Sequence, residues 1–262
     1  MAGYQIGDVT LEATVAGDGF PLLLIAGTGL PGSIFGFHMG WLTEIRKVIS
    51  FDNRDVGASS DSPGEYTAKD MADDAAGLLD ALGIERADVI GYSLGGAVAQ
   101  ELALGHPSRV RGLVLYSTWA ATDEWLRLRF SIWERIIAAS GNELTGELGA
   151  LDLFTHRFFV PGRIEMLRGQ NAAAEPRTEG LMRQWRADQA HDAKDRLGSL
   201  THPALVVGAA EDILVPARYS EELASVIPGA KLEILEAAAH GALIETPDAW
   251  RAAVEPFLKS LV

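Results

Sequence analysis

Short apolar runs alternate with amphipathic stretches along most of the chain. Six runs rich in Val, Ile and Leu predict buried strands, because they lack the apolar–polar alternation of a half-exposed strand. They lie at residues 21–26, 47–52, 87–92, 110–116, 204–208 and 231–235. Helix-type spacing, or proline near the start of an apolar stretch, predicts helices at 68–82, 96–105, 216–227 and 247–261. This alternation predicts an α/β fold: a mostly parallel sheet with right-handed crossovers and helices on both faces.

The alternation stops between residues 119 and 198, where helical stretches carry many large aromatic side chains. A structureless loop of that length is uncommon in a compact domain. We therefore expect a core formed by residues 1–118 and 199–262, and a helical insertion at 119–198, called the cap segment below, over the C-terminal edge of the sheet. Core packing within the insertion is one explanation for each aromatic. The other is an apolar roof over a substrate, with contacts from Trp119, Trp133, Phe158, Phe159 and Trp185.

Composition limits the function classes. A chain of 262 residues with 48% hydrophobic content suits one sizeable domain or a domain with an insertion. The absence of cysteine excludes disulfides, thiolate nucleophiles and Cys-ligated metals. A net charge of −14 disfavours nucleic acid and anionic membrane surfaces as partners. We expect no secretion signal, because the N-terminal residues lack its basic and apolar segments, and the apolar run at 21–27 is too short to span a bilayer. We expect a cytoplasmic monomer or homodimer that acts on a small molecule.

A serine stands between a predicted strand and a predicted helix, in Gly91-Tyr92-Ser93-Leu94-Gly95. At such a turn the backbone is strained and the serine hydroxyl lies above the sheet, where it can act as a nucleophile. The glycines remove side chains that would block the turn. The alternative is a glycine-rich packing turn with an incidental serine.

A serine nucleophile needs a histidine base that is oriented by a carboxylate. His240 directly follows the last predicted strand, and the C-terminal ends of parallel strands share one edge, so His240 can face Ser93. Glu211 and Asp212 follow the strand at 204–208, and position alone leaves both as candidates for the acid. The other histidines lie in loop or insertion contexts. Because no pair of histidines has metal-ligand spacing, we predict no metal site.

Stabilisation of an oxyanion needs two N–H donors. One candidate is the backbone N–H of Leu94, at the positive end of the helix that follows Ser93. The second should come from the loop after the first predicted strand, and we choose Thr28, with Gly27 beside it in contact with substrate. A tight turn without a catalytic role is the alternative for these glycines.

These pieces resemble the α/β-hydrolase superfamily over essentially the whole chain. The matching stretches are residues 24–29, 52–59, 91–95, 208–216 and 239–241. Among its members the chain looks most similar to 3-oxoadipate enol-lactonases and to the aminoacrylate hydrolases of pyrimidine breakdown. In that family the aspartate just ahead of a Val-Pro or Thr-Pro pair is the triad acid, which selects Asp212, ahead of Val215-Pro216, over Glu211.

The resemblance implies a cofactor-independent serine hydrolase that cleaves a carboxylic ester or lactone through an acyl-enzyme, with a bulky apolar or ring-containing substrate. Hydrolysis of C–C, enamine or amide bonds and perhydrolase chemistry can use the same triad, and a non-catalytic ligand receptor is a different class. Two positions depart from the family pattern. Ala26 stands where many members have histidine, and Asp55 replaces a turn glycine, where its carboxylate could cap the turn or border the pocket.

Overall fold

The computed structural model describes residues 2–165 and 177–261. In this part of the chain, eight strands form one sheet with the order β1-β2-β4-β3-β5-β6-β7-β8. All pairs from β4 onward in that order are parallel. The six predicted strands are present to within one residue at each end, which confirms the predicted α/β fold with a mostly parallel sheet. The strands are β1 Ala2–Ile6, β2 Val9–Ala16, β3 Pro21–Ile25, β4 Lys47–Phe51, β5 Ala87–Tyr92, β6 Val110–Tyr116, β7 Ala204–Ala209 and β8 Lys231–Leu235.

The antiparallel hairpin β1–β2 at the N-terminal edge was not predicted. In β2, the side chains of Val9, Leu11 and Ala13 are buried and alternate with half-buried neighbours. That period of two marks a strand with one packed face and one accessible face. A search for continuous apolar runs misses such a strand, although the alternation is present in the sequence.

Helices cover both faces of the sheet because successive residues of a strand point to opposite sides. In β3, Leu23 and Ile25 pack into the apolar cluster that includes the helices at 68–81, 94–105 and 217–226. Leu22 and Leu24 pack into the opposite cluster, with the helices at 39–45 and 247–260. This two-sided burial explains why the strand sequences are continuously apolar. The helices are α1 Met39–Ile45, α2 Ala68–Ala81, α3 Leu94–Gly105, α4 Glu124–Leu153, α5 Thr178–Ala190, α6 Lys194–Leu197, α7 Ala217–Val226, α8 Ala242–Glu245 and α9 Pro247–Ser260.

Between β6 and β7 the chain leaves the sheet and forms α4 and α5. The helical residues of α4 double back, since Asp152 lies 2.7 Å from Arg129 and 2.9 Å from the Trp133 indole. In a straight helix, Arg129 and Asp152 would be about 35 Å apart. The two ends of this inserted segment lie side by side, because Ala121 pairs with Asp192 in an antiparallel bridge. None of the described helices combines the length and the apolar character that a membrane-spanning helix needs.

Candidate active site

Ser93 occupies a strained turn between β5 and α3, with φ 54° and ψ −120°. A non-glycine residue in this region costs about 1–3 kcal/mol and persists only where its surroundings impose it. The turn is held by the Ser93 N–H, which donates to the Tyr116 carbonyl at 2.9 Å. A Cβ atom at Gly91 would lie 2.7 Å from Gly96 Cα, and one at Gly95 would lie 2.7 Å from the Ala26 carbonyl oxygen. The flanking glycines therefore permit the close packing that keeps Ser93 in this conformation.

His240 and Asp212 form a buried pair on the loops after β8 and β7. His240 Nδ1 lies 2.7 Å from Asp212 Oδ2. The other carboxylate oxygen of Asp212, Oδ1, accepts the N–H groups of Leu214 at 2.9 Å and Val215 at 2.8 Å. A carboxylate at Nδ1 favours the tautomer with the proton on that nitrogen, which leaves Nε2 free to accept a proton. The His240 ring also lies 5.1 Å from the ring of Tyr92, the residue before Ser93.

Glu211, the other candidate acid, lies in different surroundings from its neighbour. Its N–H donates to the Ala238 carbonyl at 2.9 Å, while its exposed carboxylate pairs with Arg157 at 2.6 Å. The structure therefore brings Asp212, and not Glu211, together with His240.

The loop after β3 comes close to Ser93. A Cβ atom at Gly27 would lie 3.0 Å from Ser93 Cβ and 3.6 Å from Ser93 Oγ. Leu94 is the first residue of α3, so its N–H has no acceptor within the helix. The N–H of Gly29 donates to Gln184 Oε1 at 2.6 Å, whereas no described residue accepts the N–H of Thr28. Among the described residues, the N–H groups of Leu94 and Thr28 thus have no acceptor.

Tyr116 supports the His240 loop and was missed by the sequence reasoning. Its hydroxyl donates to the His240 carbonyl and accepts the Ala242 N–H at 2.8 Å. Burial raises the pKa of Tyr116 above its ordinary value, so the phenol stays protonated. A tyrosine that ends a buried strand was the available signal, because a buried phenol needs a hydrogen-bond partner.

One face of α5 lies over the loop after β3, and this contact was also missed. Gln184 bonds Gly29 and donates from Nε2 to the Arg54 carbonyl at 3.0 Å. The Thr28 hydroxyl lies 2.6 Å from Asp188 Oδ2. A Cβ atom at Gly29 would lie 2.7 Å from a methyl group of Leu181. Residues 181, 184 and 188 follow the i, i+3, i+7 spacing of one helix face. No local pattern in the sequence signals this contact, because the burial of Gln184 and Asp188 arises only in the folded chain.

Asp55, which replaces a turn glycine, adopts φ 68°. Its Oδ1 accepts the Ser62 N–H at 2.7 Å, so the carboxylate caps the turn. Both carboxylate oxygens also pair with Arg183 of α5, at 2.8 and 2.9 Å. Hydrogen bonds to Arg183, Ser62 and Tyr66 hold the pKa of Asp55 below its ordinary value despite burial. Asp55 is therefore a second tie between α5 and the core.

The aromatic side chains of the cap segment pack mainly against one another. Trp119 lies 5.0 Å from Phe130, and Trp133 stacks on Trp185 at 5.9 Å. The cluster also contains Leu214 and Val215, which follow Asp212. Phe158 stacks on Phe154 at 3.8 Å, and Phe159 meets Phe158 edge-on at 5.7 Å. Trp133 also borders a cavity of about 380 Å³ between the two arms of α4. Substrate contact by these aromatics remains a prediction.

Three of the remaining histidines have partners outside the Ser93 region. His38 Nε2 bonds the Leu243 carbonyl at 2.8 Å, His106 pairs with Asp73, and His202 bonds the Pro107 carbonyl. Across residues 2–165 and 177–261, no three His, Asp or Glu side chains are grouped so that they could hold a metal ion.

The profile of the α/β hydrolase fold family matches residues 29–247. This chain belongs to the α/β hydrolases. The match runs from the loop before α1 to the first residue of α9, and so includes Ser93, Asp212 and His240. The mostly parallel sheet described above agrees with the fold of this family.

Three members of the α/β hydrolases illustrate what this chain is similar to. RutD of Azorhizobium caulinodans, whose name describes a carbamate hydrolase, is 34% identical over 244 residues and covers 92% of each chain. A thermophilic esterase from Thermogutta terrifontis has a TM-score of 0.89 at 26% identity and covers 100% of this chain and 99% of its own. The enol-lactonase of Burkholderia xenovorans LB400 shares the fold, with a TM-score of 0.91, 24% identity and coverage of 99% and 100%. The predicted resemblance to the α/β-hydrolase superfamily is confirmed, and an enol-lactonase is among the proteins that share its fold.

Proposed function

We propose that the protein is a serine hydrolase that cleaves a carboxylic ester or lactone without a cofactor. Ser93 Oγ attacks the carbonyl carbon while His240 Nε2 takes the hydroxyl proton. Asp212 stabilises the imidazolium that results, and the N–H groups of Leu94 and Thr28 bind the oxyanion. His240 then gives its proton to the leaving alkoxide, which leaves an acyl group on Ser93. In the second half, His240 activates a water molecule, which attacks the acyl-enzyme and releases the acid.

The observation that carries this proposal is a buried Asp212–His240 pair next to the strained turn that holds Ser93. The 2.7 Å contact at Nδ1 orients the imidazole, and the His240 ring lies against Tyr92, next to Ser93. Strain of about 1–3 kcal/mol at Ser93 is expected where the conformation serves a reaction. A serine at this position suits an acyl-enzyme, and the similarity to an esterase adds support.

A carbamate is the second candidate substrate class, because the 34% identical relative is named as a carbamate hydrolase. Attack of Ser93 on a carbamate carbonyl would use the same base and the same oxyanion donors. The two classes differ in the leaving group, which is an alcohol for an ester and an amine or alcohol for a carbamate. Comparison of kcat/KM across p-nitrophenyl esters, lactones and carbamate esters of matched size ranks the two classes.

The serine mechanism is tested with Ser93→Ala. We expect kcat to fall by about three or more orders of magnitude with little change in melting temperature, because Ser93 contributes one hydroxyl and little packing. A fluorophosphonate probe should label the native protein and not the variant. Hydrolysis by Ser93→Ala at the native rate would contradict the proposal. A ligand receptor without catalysis would show no labelling of the native protein.

A further inference from the structure

We infer that the cap segment sets the geometry of the oxyanion hole, with Gln184 and Asp188 of α5 as positioning residues for the Thr28 N–H. This inference rests on the proposed function. It adds a second role for the cap segment, which the sequence predicts to form an apolar roof over the substrate.

Residues 27–30 form a type II turn. The Leu30 N–H donates to the Gly27 carbonyl at 3.1 Å, and Gly29, at the third position, has φ +68°. Thr28, the second residue of the turn, is not one of the described residues with positive φ, so its φ is negative. Type II and type I turns differ by a flip of the central peptide, which here joins Thr28 to Gly29.

Gln184 determines which of the two turns forms. Its Oε1 accepts the N–H of the central peptide at 2.6 Å, and its Nε2 is held by the Arg54 carbonyl at 3.0 Å. The Gln184 side chain is fully buried and therefore fixed in place. Because glycine at position 29 also tolerates the type I conformation, the loop sequence does not by itself select type II. The acceptor supplied by α5 does.

Asp188 restrains the Thr28 side chain. Its Oδ2 lies 2.6 Å from the Thr28 hydroxyl, and the residue is fully buried. Its second oxygen, Oδ1, has no hydrogen-bond partner among the described residues. Burial also raises the pKa of Asp188 well above its ordinary value. A buried carboxyl with one bond is a costly way to pack a helix, since an apolar residue would fill the same space. We infer that Asp188 is present at this position because its carboxyl group holds the Thr28 hydroxyl.

Together these contacts fix the two ends of the donor residue. The Gly27 carbonyl, held by Leu30, lies in the same peptide as the Thr28 N–H and so orients it. Gln184 fixes the peptide on the other side of Thr28, and Asp188 fixes its side chain. A displacement of about 1 Å in a donor of this kind can lower a reaction rate about 100-fold.

The test compares kcat and KM for p-nitrophenyl acetate and its thiono analogue in Gln184→Met and Asp188→Ala. Methionine retains the length of glutamine but lacks the amide acceptor. We expect kcat for the oxygen ester to fall by about 10- to 100-fold, with KM within about threefold. Sulfur is a weak hydrogen-bond acceptor, so the thiono ester depends less on the oxyanion hole. The ratio of kcat for the oxygen ester to kcat for the thiono ester should therefore fall by about tenfold.

Two further variants serve as controls. Asp188→Asn keeps an oxygen that can accept the Thr28 hydroxyl, so it should retain most of the activity lost in Asp188→Ala. Gln189→Ala removes a glutamine of the same helix whose side chain, among the described residues, bonds only Glu134 and the Trp185 carbonyl, within the cap segment. It should retain native kcat and the native rate ratio.

Native kcat in Gln184→Met and Asp188→Ala would overturn the inference, as would parallel losses on both esters. If Asp188→Ala does not fold, Gln184→Met alone decides. Failure of the proposed function has a different signature, because the native protein would then not be labelled by the fluorophosphonate, or Ser93→Ala would remain active.

Discussion

Replacement of Asp212 by Asn tests the acid of the proposed triad, and the structure fixes what the amide must do. One side of the carboxylate faces two N–H donors, those of Leu214 and Val215. The other side faces His240 Nδ1 at 2.7 Å. An asparagine has one oxygen and one NH₂ group, and the oxygen must face the two donors. The NH₂ group is then directed at Nδ1, which has to accept a hydrogen bond.

An imidazole whose Nδ1 accepts carries its proton on Nε2, and it can no longer accept a proton from Ser93. The equivalent change in a trypsin-type triad lowers kcat about 10⁴-fold. Here the amide has no alternative orientation that satisfies both backbone donors, so we expect kcat/KM to fall by about 10³- to 10⁴-fold, or about 4–5.5 kcal/mol of transition-state stabilisation. The assay is initial-rate hydrolysis of a p-nitrophenyl ester at pH 7.5.

Glu211→Gln is the matched control, because it is the same type of change one residue earlier. Glu211 pairs with Arg157 at the surface, and an exposed pair contributes about 0–1 kcal/mol. We expect kcat/KM within about threefold of the native value and a small change in melting temperature. A loss below tenfold in Asp212→Asn, or a larger loss in Glu211→Gln, would refute the reasoning.

Three further predictions concern residues around the candidate site. Tyr116→Phe should lower kcat about tenfold and stability by about 1 kcal/mol, since the phenol holds the His240 carbonyl; native kcat would argue against a positioning role. Trp133→Ala should lower the free energy of unfolding in urea by about 3 kcal/mol, because its ring stacks on Trp185. It should also raise KM for larger acyl esters, while a phosphonate still labels Ser93. Unchanged stability would contradict the packing of Trp133 on Trp185. Burial lowers the pKa of His191 from 6.5 to about 4, so the unfolded chain takes up a proton that the folded one does not, and stability falls as pH drops from 6.5 towards 4, by about 2 kcal/mol at pH 5. Between pH 7.5 and pH 5.0, the free energy of unfolding in urea should fall by about 2 kcal/mol more in the native protein than in His191→Gln. Equal losses in the two proteins would exclude His191 as the cause.

The sequence determined the features that depend on neighbours along the chain. Residues 22–25 are all apolar because both faces of β3 are covered, and that local pattern alone predicts a parallel strand. The turn at Ser93 was likewise predictable, since Gly91 and Gly95 are the residues that the turn requires. The N-terminal hairpin is equally local, but its strand β2 alternates apolar and polar residues, so a continuous apolar run does not mark it.

The contacts between distant segments were decided by the tertiary structure. Glu211 and Asp212 are adjacent and chemically alike, and position in the chain left both open. Their surroundings separate them: the loop geometry directs one at His240 and the other at Arg157. Thr28 and Asp188 are 160 residues apart, and they meet because α5 returns over the loop after β3. Side-chain type limits which contacts are chemically possible, but packing of the whole chain selects the partner, because that selection depends on distances no local pattern contains.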